Sequence, residues 1–148
     1  LDAVWYLTTR VAARSMIPHR YGKVVSITIT PQRGIPGMSH SSAARAGVEN
    51  LTQTLAQEWA QHGIRLTCVA PGLVRTEAWE RYGLDPTIIG GLIPAGTLQR
   101  PEEVAVVVAF LLTAGGDYIT GTTIVADGGW NLAGPYSTGA IEPVRRGE

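Results

Sequence analysis

The sequence predicts an α/β fold built on a parallel sheet. Three short runs, 24–30, 64–69 and 122–126, are rich in apolar and β-branched residues, which is typical of buried strands. Between them lie longer segments with apolar residues three to four positions apart, and this spacing is typical of helices. Strands that alternate with helices form parallel sheets, because each helix returns the chain to the same end of the sheet.

The first half of the chain is predicted to run from helix to strand to loop to helix. Residues 1–16 have apolar side chains at helical spacing, and the strand at 24–30 follows. Residues 31–38 contain two prolines and two glycines, which favour a loop. Residues 39–61 are predicted to form a long amphipathic helix, and Gly63 is well suited to end it.

The second strand, at 64–69, is predicted to end before Pro71, which cannot donate to the sheet. Residues 77–100 are predicted to be irregular, with one or two short helices. Long irregular segments of compact domains often serve as substrate lids. Four apolar residues would give this lid a face towards a substrate or partner: Ile88, Ile89, Leu92 and Ile93.

The last predicted helix runs from Pro101 to about residue 113. Proline suits the first turn of a helix, and the two glutamates that follow it suit the positive end of the helix dipole. The third strand, at 122–126, leads to a weakly patterned tail at 133–148. We therefore expect one domain over residues 1–132, with the tail outside it.

The composition argues against several classes of function. Twelve basic residues balance twelve acidic ones, so the charge gives no reason to expect nucleic-acid or membrane binding. Cys68 is the one cysteine among 148 residues, which excludes an internal disulfide and favours a reducing, cytoplasmic setting. The three histidines lack metal-ligand spacing, so no metal site is expected.

Five motifs follow one another along the chain: G-K-V-V-S-I-T at 22–28, S-S-A-A-R-A-G-V at 41–48, A-P-G-L-V-R-T at 70–76, R-P-E-E-V-A at 100–105 and Y-I-T-G-T-T-I-V-A-D-G-G at 118–129. In this order they resemble the second half of a short-chain dehydrogenase/reductase. The resemblance implies the C-terminal half of a Rossmann-type doubly wound parallel sheet. The N-terminal phosphate-binding half, with its glycine-rich loop, is not found in this sequence. Either the chain is part of a longer protein, or a second polypeptide supplies that half.

The family carries Tyr-x-x-x-Lys on one helix, and the same spacing here holds Ser41 and Arg45. The finer resemblance is to the 2,4-dienoyl-CoA reductase branch, which also lacks that tyrosine. Ser41 cannot replace a phenol of pKa ~10 as a proton donor, because an aliphatic hydroxyl is far less acidic. Arg45 keeps a positive charge and several donors for cofactor ribose hydroxyls or a developing oxyanion. Alternatively, Ser41 is only a helix-start residue and Arg45 a solvated one.

The resemblance also implies a hydroxyl at the end of the first strand that holds the reacting carbonyl. Thr28 is our choice for it and Thr30 is the alternative, because the spacing to Ser41 differs by one residue from that of the family. Both threonines could instead serve strand formation alone. The proton donor stays open, with three further candidates: Tyr6, His40 and Tyr82.

The cofactor is expected where Pro71 and Gly72 turn the chain at the carboxyl end of a strand, since open α/β sheets bind ligands there. The resemblance implies that the backbone of Val74 and the hydroxyl of Thr76 meet the carboxamide of a nicotinamide cofactor. Whether this is NADP or NAD is left open. Binding is expected only where the N-terminal half is supplied. The alternative is an ordinary Pro-Gly turn.

Two functions are compatible with these motifs. The first is a reductase that transfers hydride between a nicotinamide cofactor and an enoyl or dienoyl thioester, or a carbonyl or alcohol. The altered pair suits conjugate reduction, because oxyanion stabilisation can drive that reaction. The second is a non-catalytic family member that acts as an assembly partner. In both cases we expect a homodimer or homotetramer built on the helices at 1–16 and 39–61.

Overall fold

The structure, a computed structural model, describes residues 1–30, 37–77, 83 and 85–133. Most of the predicted loop at 31–38 and of the predicted tail at 133–148 lies outside these residues. No helix among the described residues has both the length and the apolar character needed to cross a lipid bilayer. The helices and strands, in chain order, are α1 Asp2–Val11, α2 Ile17–His19, β1 Gly22–Ile27, α3 Ser39–Trp59, β2 Ile64–Pro71, α4 Pro86–Gly91, α5 Pro101–Leu112 and β3 Thr122–Ala126.

The described strands form one parallel sheet in the order β1-β2-β3. Gly22 lies opposite Ile64, and Thr67 lies opposite Thr122. The central strand β2 is the most buried, because helices and neighbouring strands cover its apolar side chains. The prediction of an α/β fold with a parallel sheet is therefore confirmed, and β1 is an edge strand of the sheet as far as the structure describes it.

The core lies between α3 and β2. Leu55 and Ala56 of the helix pack against Ile64 and Leu66 of the strand, and Trp59 lies at the border of this cluster. Burial of such side chains is the main favourable term for folding, at about 1.5–3 kcal/mol for each large one. Val48 and Leu55 of α3 therefore belong to the core, with exposed fractions of 6% each.

The first helical segment differs from its prediction. It does not stop at Met16, because a π-helical turn over Ala12–Met16 continues α1 into α2. The first strand also begins earlier, at Gly22, and ends at Ile27. A Cβ atom at Gly22 would lie 2.5 Å from the Met16 sulfur, so any larger residue there would force the Met16 side chain to move.

Candidate active site

The carboxyl ends of the three parallel strands lie at one edge of the sheet. Thr28 follows β1 and its backbone N–H donates to the carbonyl of Val69, at 2.8 Å. Pro71 ends β2, and Asp127 follows β3. In open α/β sheets this edge is where ligands bind. The fold thus brings the predicted strand-end hydroxyl and the predicted cofactor segment to the same edge.

Ser41 and Arg45 lie one turn apart near the start of α3, and both are half-buried. The Nη1 atom of Arg45 donates a hydrogen bond to the Ser41 hydroxyl oxygen. This contact orients the guanidinium along the helix face. The serine hydroxyl keeps its own hydrogen for donation to a third group. The pair can therefore bind and orient an oxygen atom, and it contains no group that titrates near neutral pH.

The two strand-end threonines are buried and have different partners. The Thr30 hydroxyl lies 2.7 Å from the Ala70 carbonyl oxygen and 3.0 Å from that of Pro71, so its hydrogen is directed to the β2 backbone. The Thr28 hydroxyl instead donates to the Glu49 carboxylate, at 2.8 Å. The Thr28 side chain is thus joined chiefly to the helix that carries Ser41 and Arg45, with the Val69 carbonyl oxygen of β2 farther away at 3.5 Å. The Thr30 side chain is joined to β2.

Glu49 was missed in the sequence analysis. It follows Arg45 by four residues, as Arg45 follows Ser41, so the three side chains lie on one face of α3. This spacing could have been recognised in the sequence. What the sequence did not show is that Glu49 faces Thr28, because that contact joins residues 21 positions apart in the chain.

Cys68 lies on β2 near Glu49. Its thiol sulfur is fully buried and 3.2 Å from the Thr52 hydroxyl oxygen. Burial raises the pKa of the Cys68 thiol, and the negative charge of Glu49 raises it further, while the hydrogen bond with Thr52 opposes both effects. Cys68 is therefore a neutral, packed thiol, not an activated one.

The predicted cofactor segment is held by Gln99. The Gln99 backbone N–H donates to the Leu73 carbonyl at 3.0 Å, and the Arg75 N–H donates to the Gln99 carbonyl at 2.8 Å, so Val74 forms a parallel bridge with Gln99. In such a bridge the peptide groups of the central residue point away from the partner. The N–H and carbonyl of Val74 therefore face away from Gln99.

The turn after β2 packs against the turn after β3. A Cβ atom at Gly72 would lie 2.9 Å from both the Cα and the carbonyl oxygen of Asp127. Asp127 is itself buried, and its carboxylate oxygens accept from the backbone N–H groups of Gly129 at 2.9 Å and Asn131 at 2.8 Å. The side chain of Asp127 therefore fixes its own turn, and Gly72 fits closely against it.

The segment predicted to be a lid contains α4, a single short helix within its described part. Its apolar residues are not all available to a substrate. Ile93 is buried with an exposed fraction of 4%, whereas Ile88 and Leu92 are exposed. Beside this segment and the cofactor turn lies a cavity of about 600 Å³, lined by Arg75, Thr87, Thr97, Leu98 and Arg100 among others.

Other candidates are more dispersed. Thr76 is exposed beyond the bridge at Val74. Tyr6 is exposed on α1 and His40 is exposed at the start of α3, while Tyr82 lies outside the described residues. Across the part of the chain that the structure describes, no group of three or more His, Cys, Asp or Glu side chains could hold a metal ion.

Comparison with known proteins gives one family. The family model described as enoyl-(acyl carrier protein) reductase matches residues 1–131. The uncharacterized short-chain type dehydrogenase/reductase y4vI of Sinorhizobium fredii is 48% identical over 101 residues, which are 66% of this chain and 18% of that protein. The 3-oxoacyl-(acyl-carrier-protein) reductase of Synechocystis is 36% identical over 126 residues, which are 84% of this chain and 50% of that protein.

Solved structures agree with these sequence matches. The acetoin dehydrogenase of Enterobacter cloacae superimposes with a TM-score of 0.77 at 30% identity, over 93% of this chain and 54% of that one. The chain spans about half the length of this relative and of the Synechocystis reductase. The narrower resemblance to 2,4-dienoyl-CoA reductases is not confirmed by these relatives. The family match over residues 1–131, together with the fold, shows that the chain belongs to the short-chain dehydrogenase/reductase family.

Proposed function

We propose that this chain forms part of an NAD(P)-dependent oxidoreductase that reduces a carbonyl group or oxidises the corresponding alcohol. The observation that carries the proposal is the shared edge of the sheet. There the cofactor turn after β2 lies beside Thr28, which is tied to the polar face of α3 that carries Arg45. A hydride transfer site needs a cofactor, a carbonyl-binding hydroxyl and an oxyanion partner together.

The proposed cofactor contacts lie in the segment that forms the bridge with Gln99. The peptide groups of Val74 and the exposed hydroxyl of Thr76 are the groups that would bind the carboxamide of the nicotinamide. When bound, the nicotinamide supplies or takes the hydride. Pro71 and Gly72 place this segment against the turn of Asp127, so its backbone is held before any ligand arrives.

Arg45 serves as the fixed positive charge of the proposed site. Its guanidinium, oriented by the Ser41 hydroxyl, would donate hydrogen bonds to ribose hydroxyls or to the substrate oxygen as negative charge develops there. Ser41 would bind the same oxygen or the same ribose. Neither residue supplies a proton near neutral pH, because an arginine stays charged and a serine hydroxyl stays protonated.

Two substrate classes remain. The names of the relatives, a 3-oxoacyl thioester reductase and an acetoin dehydrogenase, favour a ketone that lies either two carbons from a thioester carbonyl or beside a hydroxyl-bearing carbon. The proposed position of Ser41 in place of the family's phenol favours an enoyl or dienoyl thioester, since conjugate reduction depends more on oxyanion stabilisation. Because the relatives carry the names of reductases and dehydrogenases, they lend no support to a non-catalytic assembly partner.

The test is turnover by the full gene product. NADPH and NADH are each offered with a 3-oxoacyl thioester, diacetyl and a 2-enoyl thioester, and oxidation of the cofactor is followed by absorbance. Reduction of a carbonyl substrate supports the proposal. Reduction of the enoyl thioester alone would show that the substrate belongs to the second class, the enoyl or dienoyl thioesters. Absence of turnover with all three substrates, in protein that is folded by circular dichroism, contradicts it.

A homodimer or homotetramer is proposed as well. With the apolar residues of α3 in the core, α1 is the remaining surface for it: Trp5, Leu7 and Val11 have exposed fractions of 52%, 65% and 39%. Large exposed apolar patches often mark interaction sites. Light scattering at micromolar concentration measures the mass of the assembly, and a monomer would contradict the proposal. A cytoplasmic location stays a prediction.

A further inference from the structure

Glu49 is the ionisable side chain next to the strand-end hydroxyl. It lies on α3 and is half-buried, and its Oε1 atom accepts the hydrogen bond of Thr28 at 2.8 Å. Thr28 is only 4% exposed. The carboxylate is thus directed towards the end of β1, not into solvent. A surface glutamate on the outer face of the helix would not make this contact.

The hydrogen bond fixes the direction of the Thr28 hydroxyl. A hydroxyl group has one hydrogen, so Thr28 offers only its lone pairs to other groups while it donates to an ionised Glu49. A protonated Glu49 can donate to Thr28 instead, and the hydroxyl hydrogen is then released towards another acceptor. The protonation state of Glu49 therefore decides whether Thr28 accepts or donates at the site.

A proton source is what the rest of the proposed site lacks. By the resemblance to the family, Ser41 and Arg45 stand at its positions for proton transfer, and neither a serine hydroxyl nor an arginine guanidinium is a good proton donor. Carboxyl groups are common general acids and bases in enzymes. Glu49 lies one helical turn beyond Arg45, on the same face.

We propose that Glu49 is a positioning residue that acts through Thr28: it passes a proton to the Thr28 hydroxyl, which passes its own hydrogen to the substrate oxygen. This proposal rests on the function proposed above. In carbonyl reduction, the substrate carbon accepts the hydride and forms a C–H bond. The substrate oxygen takes the hydroxyl hydrogen of Thr28, whose oxygen takes the proton of the Glu49 carboxyl group. Glu49 ends as a carboxylate, and solvent returns its proton. Alcohol oxidation runs these steps in reverse.

The other charged groups on the elements around Glu49 do not replace it. On β2 the Cys68 thiol is neutral, and on α3 the Arg45 guanidinium donates to the Ser41 hydroxyl. The ammonium group of Lys23 on β1 is bound to the Asp117 carboxylate, at 2.6 Å. The charged residues of α1, Asp2 and Arg10, are exposed.

The experiment measures kcat and KM for carbonyl reduction against pH in the full gene product. Glu49→Gln keeps a hydrogen-bond acceptor for Thr28 and removes the titration. We expect kcat to fall about 10²-fold with little change in KM, and the carboxyl limb of the pH profile to disappear. Thr28→Val should give a similar loss, and the double variant little more, because both residues serve one step. Thr28→Ser should keep the pH profile of the wild type.

Glu58→Gln is the matched control, since Glu58 is an exposed glutamate on the same helix. It should behave as the wild type. A Glu49→Gln variant with wild-type kcat and pH profile would overturn the inference while leaving the proposed function intact. Loss of the pH limb in Thr28→Ser, which keeps the hydroxyl, would also overturn it. If the wild type turns over no substrate, the proposed function itself fails, and this inference fails with it.

Discussion

Gly72 lies so close to Asp127 that no side chain fits between the turns after β2 and β3. A Cβ atom at Gly72 would be 2.9 Å from the Cα atom and the carbonyl oxygen of Asp127. These are backbone atoms of a turn that its own carboxylate holds in place. The cofactor segment that follows Gly72 therefore has its position set by the end of the neighbouring strand.

Gly72→Ala should destabilise the protein and displace the cofactor turn. We expect a loss of about 1–3 kcal/mol, because overpacking against fixed backbone forces a shift. Gly91→Ala is the control, since nothing lies within 4 Å of a Cβ atom at Gly91. It should be neutral or slightly stabilising. Chemical denaturation of both variants measures the difference, and equal stability would show that the two turns can separate without cost.

Gly63→Ala should lower the free energy of unfolding more than the same substitution at Gly96, another glycine with positive φ. Gly63 has φ +71, and its Cβ atom would collide with the carbonyl oxygen of Arg20. Gly96 has φ +79 with nothing within 4 Å, so Gly96→Ala carries the backbone strain alone, about 1–2 kcal/mol. The excess at Gly63 measures the contact between the two turns. A similar thermal unfolding midpoint for both variants would contradict this prediction.

Stability should fall with rising pH in the alkaline range because of Cys68. Burial, the largest cause, raises the pKa of this thiol in the folded state. Above the ordinary thiol pKa of about 8.5, the unfolded chain releases the proton more readily than the folded chain, so the free energy of unfolding decreases. Denaturation at pH 7 and pH 10 measures this decrease. Cys68→Ala removes that part of the pH dependence, whatever its effect at pH 7, and an unchanged slope would exclude Cys68 as its source.

The N-terminal turn of α5 should become less stable at low pH. The pKa of Glu103 is lowered, chiefly by the hydrogen bond that it accepts from the backbone N–H of Arg100. A lowered carboxyl pKa contributes stability above the unfolded value of about 4.3, and this contribution is lost as pH falls through the folded value. Titration by NMR should give Glu103 a pKa below the ordinary glutamate value of about 4.3. An ordinary value would show that the cap does not persist in solution.

Arg45 should matter to activity through its charge and its hydrogen bonds. Arg45→Lys keeps the charge and loses the planar set of donors, so we expect partial activity. Arg45→Met removes both and should lower kcat by about 10²–10³-fold. Thermal unfolding of both variants separates this from a structural role, in which folded protein would turn over normally. Wild-type turnover by Arg45→Met would show that the contact with Ser41 serves the helix alone.

The sequence by itself determined the order and type of the elements. The short β-branched runs predicted the three parallel strands that the structure describes, because a buried strand needs such side chains whatever surrounds it. Gly63, placed after a long amphipathic segment, predicted the left-handed residue that ends it, since that conformation favours glycine. The motifs 41–48 and 70–76 predicted the family, and residues close together in sequence were enough for each of these inferences.

Only the tertiary structure decided which residues from different elements are in contact. The contact between Thr28 and Glu49 joins two elements that no short sequence motif links. The same is true of the contact between Gly72 and Asp127 and of the bridge between Val74 and Gln99. The same holds for burial: Val48 and Leu55 have the spacing of an interface, and β2 takes them into the core. Helical spacing shows that residues share a face, but the packing of the sheet determines what that face meets.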